Sequence, residues 1–156
     1  MQVLCYVTPD DKNRIKIMQY VQASVKRVDI EYFTTTDSLR ERLLLNLSRK
    51  TVAVVSIATE KDLIDLYFLQ HLLSKVLLVL LLPDTEPHII AMGHRLHPFF
   101  MCSADIQTSD FIAILGNIIN HGYAPKPSAP FGNFFESITL DNFPEYQRDS
   151  WIYAAA

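Results

Sequence analysis

The sequence predicts an α/β fold, a doubly wound parallel sheet of five strands with helices on both faces. Residues 76–82 are an unbroken apolar run between Lys75 and Pro83, which is the pattern of a strand buried on both faces. Residues 52–58 form a second, mainly apolar run one helix length earlier, and two such strands joined by a helical crossover run parallel. The length of 156 residues suits one domain with a single core.

Strand one is predicted at residues 2–7, where the chain opens on an apolar segment. Residues 8–11 (TPDD) are a predicted turn whose carboxylates suit the positive end of a following helix. Residues 28–34 alternate apolar with acidic side chains, which indicates a half-exposed second strand at a sheet edge. Helix one lies between the two strands, and its apolar positions at helical spacing are Ile15, Met18, Val21 and Val25.

Capping patterns predict where helices two and three begin. Ser38 and Glu41 form a capping-box pattern at the start of residues 37–47, and Thr59 with Asp62 repeats it before a third helix. The apolar positions are Leu39, Leu43, Leu44 and Leu47 in helix two, and Leu63, Leu66, Leu69 and Leu73 in helix three, which is expected to reach Ser74.

Prolines and glycines mark the remaining elements. Pro83 ends strand four, Pro87 suits the first turn of a fourth helix, and Gly93 is expected near the end of that helix. Residues 98–102 are the predicted fifth strand, and the proline at its start favours an edge position. A last helix of the domain is expected to end at Gly122. Short connections and right-handed crossovers then favour the strand order 2-1-3-4-5.

The composition divides the chain into a domain, residues 1–122, and an extension, residues 123–156, that is rich in proline and aromatic residues. Asp141 and Pro144 predict a helix over residues 144–155. The aromatic side chains favour an extension that packs back on the domain, because that much exposed aromatic surface is rarely left uncovered. The alternative is an arm that connects to a partner or to a following output domain.

Charge and cysteine content exclude several classes of function. A net charge of −3 leaves no basic surface for nucleic acid or an anionic membrane. Cys5 and Cys102 fall in apolar stretches without a CxxC motif, which favours buried free thiols in a reducing compartment. The segment after Cys102 has neither Arg nor Gly to hold an oxyanion, so no thiol nucleophile is expected there. The opening of the chain does not have the pattern of a signal peptide, and a cytoplasmic location is predicted.

The order and lengths of these elements resemble the receiver domain of bacterial response regulators, which has a flavodoxin-like fold. The resemblance covers residues 2–121 and is carried most clearly by the run from strand four to the last helix of the domain. It implies a phosphoryl-transfer site built from acidic residues after strand one and a phosphoacceptor aspartate that ends strand three. It also implies a hydroxyl residue at the end of strand four and a lysine at the end of strand five.

The chain departs from the receiver pattern at these functional positions. Ser56 stands where the phosphoacceptor aspartate is expected, and a serine hydroxyl is neither an anionic nucleophile nor a metal ligand comparable to carboxylate. Leu82 and Cys102 occupy the degenerate switch positions at the ends of strands four and five. Asp10 and Asp11 lie later in the chain than the receiver acids. We therefore predict a pseudo-receiver that has neither a cofactor nor a catalytic residue.

Two groups of polar residues carry side chains that can bind metal ions. Asp10 and Asp11 are weak Mg²⁺ candidates, because two carboxylates suffice only with waters and a phosphate partner. The preferred interpretation is that they are helix-start charges. His88, His94 and His97 are not spaced to share one helical face, so they are expected to be solvated or packing residues and not zinc ligands.

The predicted function is a non-catalytic regulatory or protein-interaction module in bacterial signal transduction. Its expected partners are another protein, a following output domain or a second copy of the chain. The alternative is a small-molecule-binding or enzymatic domain with a ligand in the crevice between Thr8 and Ser56. The resemblance implies a contact surface on helix four, strand five and helix five, with candidate residues His94, Arg95, His97, Phe99, Ile106 and Phe111, together with Trp151 of the extension.

Overall fold

The computed structural model describes residues 1–24, 27–48, 50–103, 105–121 and 151–152. Within these residues one sheet has the strand order β2-β1-β3-β4-β5-β6. The first five strands are parallel, so the predicted flavodoxin-like α/β class and the order 2-1-3-4-5 are confirmed. The strands are β1 (Gln2–Val7), β2 (Asp29–Phe33), β3 (Thr51–Ser56), β4 (Leu77–Leu82), β5 (Phe100–Ser103) and the short β6 (Trp151–Ile152).

Helices cover both faces of the sheet. In the described part of the chain they are α1 (Arg14–Ser24), α2 (Thr36–Leu44), α3 (Glu60–Tyr67), α4 (Gln70–Leu73), α5 (Pro87–His94) and α6 (Thr108–His121). One core cluster joins α1 and α6 to one face of the sheet. A second core cluster joins α2, α3, α4 and α5 to the other face.

Strands β3 and β4 are the buried centre of the sheet. Every residue of both strands is buried, because alternate side chains enter the two core clusters. Each fully buried valine or leucine contributes about 1.5–3 kcal/mol to folding. Among the described residues β2 pairs with β1 alone, so the predicted edge position is confirmed. Glu31 of this edge strand accepts a bond from Arg42 of α2 at 2.9 Å.

The N-cap of α3 is the predicted residue, whereas the N-cap of α2 is not. Thr35 is the N-cap of α2, and its hydroxyl accepts from the Ser38 backbone N–H at 3.2 Å. The prediction of Ser38 as the capping residue was therefore wrong, because Ser38 already lies inside the first turn. The Thr59 and Asp62 capping box is confirmed, since the Asp62 N–H donates to Thr59 and the Thr59 N–H donates to Asp62 at 2.9 Å.

Helix faces differ from the predicted ones in two places. Ile15 of α1 is 72% exposed, because Ile17 and Val21 of the same helix are the residues that enter the core. The predicted third helix is divided into α3 and α4. The Leu69 N–H bonds to the Leu66 carbonyl oxygen at 2.9 Å, a tight turn that buries Leu69 and leaves Phe68 outside.

The short strand β6 pairs antiparallel with β5, with Trp151 opposite Cys102 and Ile152 opposite Met101. The helix predicted over residues 144–155 is therefore wrong at these two positions. The fifth strand is also not an edge strand there, contrary to its prediction. The rest of that helix and the remainder of the extension lie outside the described residues, as does Gly122, so the alternatives for the extension stay predictions.

Close packing of α5 on the sheet depends on Gly93. A Cβ atom at this position would lie 2.6 Å from the Met101 sulfur and 3.3 Å from a methyl carbon of Leu82. Both neighbours are fully buried, so neither can move away without disturbing the core. The glycine allows this helix to approach β4 and β5 closely.

We expect Gly93→Ala to lower the free energy of unfolding by about 1–2 kcal/mol, because the cost of overpacking exceeds the gain in helix propensity. Urea denaturation followed by circular dichroism measures this change. Ala91→Ser, at an exposed position of the same helix, is the matched control and should shift the midpoint little. An unchanged or higher midpoint for Gly93→Ala would contradict the close packing.

Candidate functional site

The carboxyl ends of β1 and β3 lie side by side at one edge of the sheet. Val7 pairs with Ser56 at the ends of these strands. The chain then turns, and the Asp11 N–H donates to the Thr8 carbonyl oxygen at 3.1 Å. In this strand order the connections leave β1 and β3 on opposite faces, which is where ligands bind in open α/β sheets. We call Thr8, Asp11 and Ser56 the β1/β3 crevice.

Asp11 and Ser56 are bonded to each other in this crevice. The Ser56 hydroxyl donates to one carboxylate oxygen of Asp11 at 2.6 Å, and the Asn13 N–H donates to the other oxygen at 2.8 Å. Ser56 is 0% exposed, whereas Asp10 is exposed and makes no side-chain hydrogen bond or ion pair with the described residues. The two predicted metal candidates are therefore separated, because only Asp11 turns towards the degenerate phosphoacceptor position.

Thr8 brings an unsatisfied polar group to the same crevice. Its side chain is only 5% exposed, and its hydroxyl oxygen has no hydrogen-bond partner in the described part of the chain. A buried polar atom without a partner is uncommon and costs about 1–3 kcal/mol. The sequence predicted Thr8 at the crevice. It did not predict that the Thr8 hydroxyl lacks a partner, because that depends on the geometry of the turn and not on a periodic pattern.

The two degenerate switch positions lie on opposite faces of the sheet. Leu82 packs with Met101 in the cluster under α2 to α5, whereas Cys102 packs in the cluster under α1 and α6. Neither side chain is exposed, and Ser103 beside Leu82 is buried as well. These positions therefore contribute apolar side chains to two different cores and do not converge on one site.

Both cysteines are free and buried, as predicted. Burial raises the pKa of the Cys5 thiol to about 12 and also raises the pKa of the Cys102 thiol. Thiolate is the reactive form, so both side chains are held in the unreactive thiol form near neutral pH.

The predicted contact surface on α5 and β5 is only partly exposed. Arg95 and His97 are exposed, and His94 and Phe99 are half-buried. Ile106 and Phe111 are buried in the core, so their assignment to an outer surface is corrected. The physical reason is that α6 packs against α1 and faces Phe111 inward, where its ring centroid lies 6.0 Å from that of Tyr20. For Trp151 the structure describes the backbone and not the side chain.

A different surface carries exposed apolar side chains. Leu44 at the end of α2 is 61% exposed, and Phe68 after α3 is 74% exposed. Both line a groove of about 380 Å³ between α2 and the α3–α4 segment, which we call the α2/α3 groove. Its lining residues include Asp37, Arg40, Leu44, Asp65, Phe68 and His71. Sequence reasoning missed this surface because it placed Leu44 on the buried face of a helix extending to residue 47.

The described residues hold no cluster of three or more His, Cys, Asp or Glu side chains suited to a metal ion. His88 lies near two carboxylates. Its Nε2 atom is 3.7 Å from Oε2 of Glu60, and its Nδ1 atom is 3.3 Å from Oε2 of Glu86.

Within the described ranges, no helix has the length and apolar content needed to cross a membrane. No family model matches the chain, and no curated protein or solved structure is significantly similar to it.

We expect Cys5 and Cys102 of the native protein to react with a thiol reagent at pH 8 far more slowly than an exposed cysteine, because their raised pKa values keep both thiols protonated and burial blocks access. Absorbance with Ellman's reagent measures the rate. The same protein in denaturant is the control and should release two equivalents at once. Fast labelling of one thiol in the native protein would contradict its buried position.

Proposed function

We propose that this chain is a non-catalytic, receiver-like regulatory module that acts by protein contact in bacterial cytoplasmic signalling. The observation that carries the proposal is the 2.6 Å hydrogen bond from Ser56 to Asp11. It lies where a receiver would hold its phosphoacceptor, at the carboxyl end of the central strand β3. A neutral hydroxyl at this place, already bonded to the nearest acid, supports a module whose state does not depend on phosphoryl transfer.

The Ser56 and Asp11 pair must also be weighed as a nucleophile with its base. A serine that donates to a carboxylate has the first bond of such an arrangement. Ser56 is 0% exposed, however, so a substrate carbon or phosphorus atom cannot approach its oxygen without opening of the turn after β1. The burial of this oxygen favours a structural hydrogen bond over catalysis.

Exposed apolar surface supports the protein-contact part of the proposal. Apolar patches on the outside of small domains commonly mark interaction sites. The exposed aromatic ring of Phe68 and the exposed Leu44 border the same groove. This surface differs from the α5 and β5 surface that the receiver resemblance implies.

The proposal predicts that Mg²⁺ with beryllofluoride, a phosphoryl analogue, does not bind at the crevice. In a titration followed by amide NMR, we expect the signals of Thr8, Ser56 and Leu82 to stay in place, because β3 ends in a serine and not in the carboxylate that would bind the analogue. Shifts of these three amides that saturate together would contradict the proposal and would favour phosphoryl signalling as the function.

Ser56→Asp is the matched variant for this titration. It returns a carboxylate to the phosphoacceptor position, next to Asp11, and we expect it to gain Mg²⁺-dependent shifts of the crevice amides. Asp10→Asn in the same background is the control, because Asp10 is exposed and should not contribute a ligand. A response in Ser56→Asp and none in the natural sequence would show that the residue at position 56 determines whether the crevice binds Mg²⁺.

The unsatisfied hydroxyl of Thr8 favours a second candidate function, the binding of a small molecule in the β1/β3 crevice. A ligand with a hydrogen-bonding group would satisfy this buried oxygen.

Thr8→Val separates the two candidates. If the crevice holds no ligand, we expect this variant to be as stable as the natural sequence or up to about 1 kcal/mol more stable, because it removes an orphaned hydroxyl. Thermal unfolding measures the change. Native mass spectrometry of the purified natural chain is the companion measurement. A bound mass that disappears in Thr8→Val would support ligand binding instead.

A further inference from the structure

The α2/α3 groove combines apolar side chains with charges of both signs. Phe68 and Leu44 stand exposed beside Arg40 and Asp65 in the lining of the same groove. On the other face of the sheet, α1 also carries an exposed apolar residue, Ile15, but without a groove of this kind described around it. The groove is therefore a mixed surface that has both an apolar projection and a cavity to receive one.

Two of the charged residues that line the groove, Arg40 and Asp65, have no partner of opposite charge among the described residues. In the described part of the structure, Arg40 and Asp65 make no ion pair and no side-chain hydrogen bond, whereas Arg42 nearby is paired with Glu31. Asp37 differs from them because it lies in the first turn of α2, where the positive helix end stabilises its charge. Arg40 and Asp65 remain as a pair of opposite charges without a partner in the described part of the chain.

We propose that the α2/α3 groove is a two-fold dimer interface that binds a second copy of this chain. In such an interface the same patch meets itself, so each contact from residue i to residue j is repeated from j to i. Phe68 of each copy enters the groove of the other, and Arg40 of each copy pairs with Asp65 of the other. An apolar projection, a groove to receive it and a pair of opposite charges, Arg40 and Asp65, are the components that this symmetry requires.

A second copy satisfies the charges better than a partner of single-sign charge. A basic partner would leave Arg40 against a like charge, and an acidic partner would do the same to Asp65, which costs affinity when the groove closes. The apolar side chains supply most of the binding free energy, because exposed ion pairs contribute little. The ion pairs specify the orientation of the two copies.

This inference deepens the proposed regulatory role by naming its partner, but it is tested separately from that role. Sedimentation equilibrium of the full chain, from about 10 μM to about 1 mM, covers the Kd range expected for a small interface. We expect a monomer–dimer equilibrium within this range. A chain that stays monomeric throughout would overturn the dimer, while an absent beryllofluoride response would still support the regulatory role.

Phe68→Asp tests whether this groove is the interface. We expect it to raise the dimer Kd at least about tenfold, because it removes the central apolar contact and buries a charge. Ile15→Asp is the matched control, since Ile15 is equally exposed but lies on α1 across the sheet. Circular dichroism checks that both variants stay folded. A dimer that survives Phe68→Asp, or is lost in Ile15→Asp, would overturn the assignment.

A charge exchange tests the two-fold arrangement itself. Arg40→Asp and Asp65→Arg should each raise the Kd by about threefold or more, because each places like charges opposite one another. The double variant should return the Kd to within about twofold of the natural value, since the pairs re-form with reversed sign. A double variant as weak as the single variants would overturn the pairing of Arg40 with Asp65.

Discussion

Burial of β3 and β4 on both faces is the constraint on which the rest of the structure depends. A strand without a polar side needs a helical layer above and below it, and parallel neighbours need helical crossovers to connect them. The chain meets both needs with α1 and α6 on one face and α2 to α5 on the other. The carboxyl ends of the parallel strands then share one edge, which brings the turn after β1 next to Ser56.

The residues of the crevice could be predicted from the sequence, but their bonding could not. Thr8 follows from the end of the first apolar run, and Ser56 follows from the position that the receiver pattern gives to the end of strand three. The hydrogen-bonded turn between Thr8 and Asp11 decides which carboxylate faces inward. A periodic sequence pattern does not distinguish two adjacent acids in such a turn. Only Asp11 reaches Ser56, and Asp10 stays in solvent.

Helix starts and faces were less predictable than strands because tertiary packing decides between neighbouring choices. Three consecutive threonines stand at the start of α2, the last of them inside the helix, and Thr35 caps it where the pattern indicated Ser38. Ile15 fits a helical stripe as well as Ile17 does, but the position of α6 selects Ile17 for the core. The packing of α6 against α1 likewise buries Phe111, which a surface assignment taken from receiver topology cannot anticipate.

A closed crevice and an open groove together limit how the proposed module can be regulated. A ligand shifts a conformational equilibrium only by its difference in affinity for the two states. In receivers that difference comes from a covalent charge at the end of β3, whereas here the position holds a buried serine bonded to Asp11. If the module is regulatory, the free energy must enter by association at a surface such as the α2/α3 groove. Its output would then depend on the concentration of its partner or of the chain itself, because association obeys mass action. A covalent modification, in contrast, acts on each molecule at any protein concentration.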